Sequence, residues 1–343
     1  MNILVLGNFG FSTEKLDGQT IKTRNVYELV SKKNSSVSSF DTSYLKKNPF
    51  LFFVMLKKVI VSEKVIYLPA HGNLFFLFPI IFLLSKIFHS SIIYIIIGGW
   101  LTKFLENKHY LVYCLKHITI IYSETHLLKE ELKQKYGIIN TDVFPNFRIN
   151  VSVKNNSLLR NFYSSKIKLV FMARIQMMKG LDTIYELCNK LVNKNESKYF
   201  ELDFYGQIDS HDSDYFKSLI SKFDFVHYCG CLEPSNITET LSSYDLLILP
   251  THYYTEGFPG SILDAYIAGI PVIVTNWKYA SEFVDDGETG YIVPFVDCIE
   301  SIYNHLVELH RDRYKLQEMK IASVKKSKLY SEDTALQILS NYI

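Results

Sequence analysis

A chain of 343 residues, 48% of them apolar, is longer than one hydrophobic core usually supports, so two domains are expected, with a site in the cleft between them. The formal charge of +2, from 37 basic and 35 acidic side chains distributed along the chain, leaves no electrostatic footprint for nucleic acid. Five cysteines without a repeated spacing fit a reducing compartment rather than a disulfide framework, and Cys229 with Cys231 is a lone pair, too little for a metal site.

The opening MNILVLGNFG has neither the basic lead nor the small-residue cleavage site of a signal peptide. It reads as a first buried strand, so export is not indicated and a cytoplasmic location is expected. In the GNFGFSTEKLDGQTIK that follows, Gly7 and Gly10 are three apart and Gly18 opens a helix. Asp41 ends the second strand, where a dinucleotide fold carries its ribose acid, but the spacing is not G-x-G-x-x-G and no nicotinamide or flavin site is expected. These glycines are turn and cap residues, or they line a loop facing a ligand. LKKNPFLFFVMLKKVI (45–60) sets paired lysines on both sides of an apolar block. That pattern suits a helix lying on anionic lipid, the alternative being a core helix with solvated ends.

KVIYLPA is the third strand, and His71 follows it at the cleft edge as a general base or a polar cap. LFFLFPIIFLLSKIF (74–88) is interrupted by Pro79 and Lys86 and is shorter than the roughly 20 residues that span a bilayer, so it reads as a buried or membrane-surface helix. SIIYIIIGG, the fourth strand, ends in Gly98, Gly99 and Trp100. The glycines allow close approach of backbone to a ligand, and the indole either stacks on a sugar ring or covers the core.

After ITIIYS, the polar stretch RINVSVKNNSLLRNFYSSK (148–166) reads as a boundary, placing the domains at 1–160 and 161–343 with the last helix able to pack back on the first. IKLVFMAR, FELDFYG, YDLLILPT and IPVIVT then restart the strand pattern. Near-continuous apolar strands alternating with helical segments predict an α/β fold of parallel sheets with crossover helices. Ligands of such sheets bind at the carboxyl ends of the strands. Arg174 stands at such an end, and Lys179 follows at a helix start, two cations suited to a diphosphate. In HDSDYF, Asp212 and Asp214 have the spacing of a cation-binding pair, but they precede a helix and are expected to cap it. No metal is expected.

The richest stretch is THYYTEGFPGSILDAYIAGIPVIVTNW (251–277). Pro259 sits at a helix start, the N–H groups of Gly260, Ser261 and Ile262 point toward an anion, and Gly257 and Gly260 let it come close. Asp264, about one turn inside that helix, is placed to accept two vicinal hydroxyls such as a ribose presents. Glu256, in the loop, faces whatever lies beyond the phosphates.

With RIQMMKG, EGFPGSILDAYIAGIPVIVT and EFVDDGETGYIVP, the chain resembles the retaining glycosyltransferases of family 4. The resemblance implies the B fold, two Rossmann-like domains facing across a cleft. Arg174 and Lys179 correspond to the pair that neutralises the leaving diphosphate. Glu256 is similar to the first acid of the E-x7-E signature, which touches the donor sugar, and Asp264 stands where the second acid holds the ribose, with Phe258 in the same donor-binding stretch. Gly18, His71, Gly98, Gly99 and Trp100 are then acceptor or cleft residues. Two departures stand out: the second acid is Asp, one methylene shorter than Glu, and IIIGGWL has no counterpart to the family's cleft histidine, whose contact Gly98 and Gly99 would replace with backbone groups.

The resemblance implies transfer from a nucleotide diphosphate sugar, a UDP-sugar, to a glycan or lipid-linked acceptor in bacterial surface-polysaccharide synthesis (capsule or O-antigen). No cofactor is implied. Peripheral contact with the inner face of the membrane would bring the enzyme to such an acceptor. The alternatives are a nucleotide-sugar 2-epimerase of the same fold, for which no acid/base pair is evident, and a catalytically silent donor-binding subunit, which turnover of a nucleotide sugar separates from a transferase.

Overall fold

The computed structural model describes residues 2–12, 17–149 and 165–343. The expected domain boundary at 160/161 falls outside these residues. The chain divides into one unit of residues 1–150 with 330–343 and a second of 151–329. Each is built on a six-stranded sheet in which every strand pair is parallel, the α/β architecture expected from the alternating pattern.

In the first unit the strands are β1 (Ile3–Gly7), β2 (Val37–Asp41), β3 (Lys64–Leu68), β4 (Ser91–Ile95), β5 (Ile120–Ser123) and β6 (Thr141–Val143), in the order β2-β1-β3-β4-β5-β6. The central strands are buried along nearly their whole length, as strands covered by helices on both faces must be. Val5, Ile66, Ile93 and Tyr122 form a core with Phe9, Val26 and Leu29. The helix Gly18–Lys33 starts with a capping box: Asp17 accepts from the Thr20 N–H and Thr20 Oγ1 accepts from the Asp17 N–H, both at 3.0 Å, which satisfies two donors the first turn would otherwise leave open. The last helix, Glu332–Leu339, belongs to this unit: Ala335 and Leu339 enter its core, and Tyr122 donates to the Ile338 carbonyl at 3.0 Å.

In the second unit the strands are β7 (Ile167–Met172), β8 (Phe200–Tyr205), β9 (Val226–Tyr228), β10 (Leu246–Leu249), β11 (Val272–Thr275) and β12 (Gly290–Val293), in the order β12-β11-β10-β7-β8-β9. The chain leaves β7 toward β8 on one side and returns to β10 on the other. The strand order therefore reverses between β7 and β10, and the crevice that opens at such a reversal, beyond the carboxyl ends of the strands, is where parallel sheets hold ligands.

Candidate active site

The exits of β7 and β10 are locked together at this reversal. Gly180 has φ +86°, and a Cβ there would lie 2.0 Å from the Pro250 carbonyl oxygen, so only glycine lets the two segments touch. Across the same contact the His252 N–H donates to the Met178 carbonyl at 3.0 Å and buried Thr251 donates its hydroxyl to that carbonyl at 3.2 Å. Gly206, φ +143°, makes the equivalent approach at the β8 exit, where a Cβ would meet the Ala173 carbonyl oxygen at 1.9 Å. Arg174 is carried on that fixed backbone.

Arg174 is exposed, and among the described residues no carboxylate lies within ion-pair distance of it. Asp209 is near enough to feel its charge, although the carboxyl is held below its usual range mainly by N–H groups of His211. Lys179 closes the short 3-10 turn Met177–Lys179 ahead of the helix Leu181–Asn193. Its ammonium forms an ion pair with Glu256, the two side chains being 18% and 15% exposed. The structure thus brings the cation assigned to the diphosphate and the acid assigned to the donor sugar into direct contact, with the Thr251 hydroxyl oxygen 3.4 Å from the same carboxylate.

The loop after β10 ends at Pro259, which caps the helix Gly260–Ala268 rather than occupying its first turn. Gly257 and Phe258 are buried, and the Phe258 ring stacks on Phe283 with centroids 4.1 Å apart. Phe258 therefore anchors the loop to the unit's core. Gly260 and Ser261 are partly exposed at the helix start. Of the three N–H groups expected to face an anion, that of Ile262 already donates to the Pro259 carbonyl at 3.1 Å. Asp264 is 6% exposed on a helix otherwise buried from Ile262 to Ala268.

Asp212 and Asp214 do not cap the helix Ser213–Lys222 with their side chains. Asp212 instead accepts the Met177 N–H at 2.8 Å and pins the turn that carries Lys179, while Asp214 pairs with Lys217 at the surface. A backbone donor outside the helix won over the cap. His252, which no motif singles out, contacts Asp182 at 2.8 Å and Thr183 at 3.3 Å. Those partners are 70 and 69 positions away, so no local pattern announces them.

In the first unit, Gly18 is the opening residue of its helix, and a Cβ there would meet nothing within 4 Å. Asp41 is 5% exposed and accepts from the N–H groups of Phe9, Phe11 and Ser43, which makes it the anchor of the β1 exit loop. His71 starts the helix His71–Phe76, and its ring lies 3.8 Å from that of Trp100 between centroids. Loss of water around the imidazole lowers its pKa. The Trp100 indole N–H donates to the Ile97 carbonyl at 2.7 Å. Beneath this pair, Glu124 binds Lys22 at 2.8 Å through one carboxylate oxygen and accepts the Gly98 N–H at 3.0 Å through the other. Lys22 and Glu124 are each 2% exposed. The Gly98 amide is therefore engaged within the protein, by Glu124, rather than turned to a ligand in place of the histidine.

Residues 159–326 match the family model described as glycosyl transferases group 1. An uncharacterised 41.2 kDa protein of the cps region of Klebsiella pneumoniae is 27% identical over 52% of this chain and 47% of its own length. The putative colanic acid biosynthesis glycosyltransferase WcaL of Salmonella typhimurium is 24% identical over 42% of this chain and 36% of its own. The chain thus spans less than half the length of these curated relatives. The crystal structure of Anabaena HepE in complex with UDP and glucose superposes with a TM-score of 0.75, at 15% identity, over 99% of this chain and 98% of that one. The fold is that of the B-type glycosyltransferases, and through its matched C-terminal segment the chain is related to glycosyltransferases of bacterial polysaccharide synthesis.

Proposed function

We propose that this protein is a retaining, metal-independent glycosyltransferase that moves a sugar from a UDP-sugar to a glycan or lipid-linked acceptor in the synthesis of a bacterial surface polysaccharide. The observation that carries this reading is the convergence of Arg174, the Lys179–Glu256 pair and the start of the helix Gly260–Ala268 at the β7/β10 reversal. Cations and helix N–H groups suit a diphosphate. The relatives' polysaccharide names and the UDP bound to HepE support the substrate class.

In the reaction, the bond from the anomeric carbon to the phosphate oxygen breaks through an oxocarbenium-like state. Negative charge grows on the departing phosphate, and Arg174 and Lys179 stabilise that charge more in the transition state than in the ground state. The acceptor hydroxyl attacks on the face the phosphate leaves and passes its proton to a phosphate oxygen. Glu256 orients the sugar, and Asp264 holds the ribose.

Thermal-shift measurements with UDP-, GDP- and ADP-sugars test the reading. A UDP-sugar at a hundredfold excess over its Kd should raise Tm on the order of 5 °C; no shift with any of them overturns the donor site. A shift without transfer or hydrolysis of any bound sugar points to a silent donor-binding subunit.

A further inference from the structure

The near-neutral total charge hides an uneven distribution. Residues 42–123 contain nine lysines against two acids, Glu63 and Glu106. In the first unit this stretch builds the helices Leu51–Ile60, His71–Phe76, Phe78–Ile87 and His109–Lys116, with Phe78–Ile87 packed against the other three. Ile80, Leu83 and Ile87 lie on one exposed stripe of that central helix, at the spacing of a single helical face. Phe50, Phe53 and Phe76 are 79%, 67% and 70% exposed. Phe75 joins Phe76 at 4.8 Å and Tyr110 at 6.0 Å between ring centroids, and Phe82 joins Tyr113 at 6.4 Å.

So many bare aromatic and aliphatic side chains on adjoining helices mark an interaction surface. None of the four helices exceeds 10 residues, about 15 Å at 1.5 Å per residue, against a hydrocarbon core of about 30 Å. Among the described residues no helix is long and apolar enough to cross a membrane. Lys46, Lys57, Lys86 and Lys116, on or next to these helices, are exposed, and none of them pairs with a carboxylate among the described residues; Lys86 donates to the His117 carbonyl at 2.7 Å.

We propose that this face lies on an anionic bilayer, with Phe50, Phe53, Phe76 and Leu83 in the acyl boundary and the lysines among the headgroup phosphates. Apolar contact and electrostatic attraction to anionic lipid then act together. A second copy of the chain fits the face poorly, because a self-complementary interface would set uncompensated lysines against lysines. The surface stands on its own observations and does not depend on the reaction proposed above.

Cosedimentation with phosphatidylcholine vesicles, alone and with one third phosphatidylglycerol, tests the proposal. The intact chain should pellet with the anionic vesicles and be released by salt. Replacing Lys46, Lys57, Lys86 and Lys116 with Gln should lower the partition coefficient roughly fivefold per lysine, and Phe53→Ser with Phe76→Ser by about tenfold or more. Circular dichroism melting should show these variants folded, because the altered side chains are exposed; Leu83→Ser is the substitute for any that is not. Absence of binding to anionic vesicles, equal binding to both vesicle types, or unchanged binding by the variants overturns the proposal. So does a dimer in light scattering that Phe53→Ser with Phe76→Ser dissociates, since the occupant would then be a second copy.

Discussion

Lys179 and Glu256 neutralise one another in a pair mostly shielded from solvent, so a diphosphate reaching Lys179 competes with a carboxylate already in place. Arg174 has no such competitor among the described residues, and Arg174→Ala should weaken nucleoside diphosphate binding by about 1.5–3 kcal/mol, read by calorimetry. Lys179→Ala removes a cation and also leaves Glu256 unpaired beside the phosphates, so its loss should be at least as large. Adding Glu256→Gln should restore part of it, and a double variant that binds no better than Lys179→Ala would contradict the competition. Alone, Glu256→Gln should keep or improve nucleotide affinity while lowering kcat roughly a hundredfold. Asp264→Asn should mainly raise the donor KM, so Michaelis kinetics on both variants separate the two acids. Arg174, Lys179 and Glu256 could be singled out in the sequence because each follows a strand end at short spacing, and Asp264 because it lies about one turn inside the next helix. The contact between Lys179 and Glu256, 77 positions apart, was not, since nothing local specifies which exit loops meet.

At the level of elements, glycine fixes the site where loops must touch. Gly180→Ala would put a methyl group into the Pro250 carbonyl at a positive φ, and should destabilise the second unit by about 2–4 kcal/mol, measured by urea denaturation. If stability is unchanged, the two exits are not packed as described. In the first unit the Lys22–Glu124 pair ties the helix Gly18–Lys33 to the exits of β4 and β5. Burial depresses the Lys22 pKa while Glu124 opposes the shift. Breaking the pair with Glu124→Leu strands a buried ammonium and should cost about 3–5 kcal/mol, whereas Lys22→Met with Glu124→Leu should lose much less; equal losses would show that the pair itself is not what matters. The apolar runs of β1, β3, β4, β5, β7, β8, β10 and β11 were legible, and Asp41 marked the end of β2. The edge strands β6, β9 and β12 were not. They have three, three and four residues, and a strand with one neighbour can leave side chains in water, as β9 does with His227 and Tyr228. The periodic signal is then too short to see.

For the molecule as a whole, the proposed use of Arg174 and Lys179 to do the work of a metal has a consequence: transfer activity should survive EDTA, measured with the stabilising donor. Complete loss restored by Mg²⁺ or Mn²⁺ would require acidic ligands, for which the Glu201, Asp203 and His227 group and Asp212 are the places to look. The amino-acid order by itself determined the α/β class, the repetition of the strand pattern on either side of residues 148–166 and the chemistry-bearing loops, because hydrophobic periodicity and strand-end glycines are local properties. It also carried the apolar blocks bounded by lysines. The tertiary structure decided that β7 and β10 are neighbours, that Asp212 and Glu124 hold backbone N–H groups, and that the apolar blocks leave Phe53, Phe76 and Leu83 in the open. These depend on which distant segments meet, and burial is settled only when the partner that covers a side chain, or fails to, has arrived.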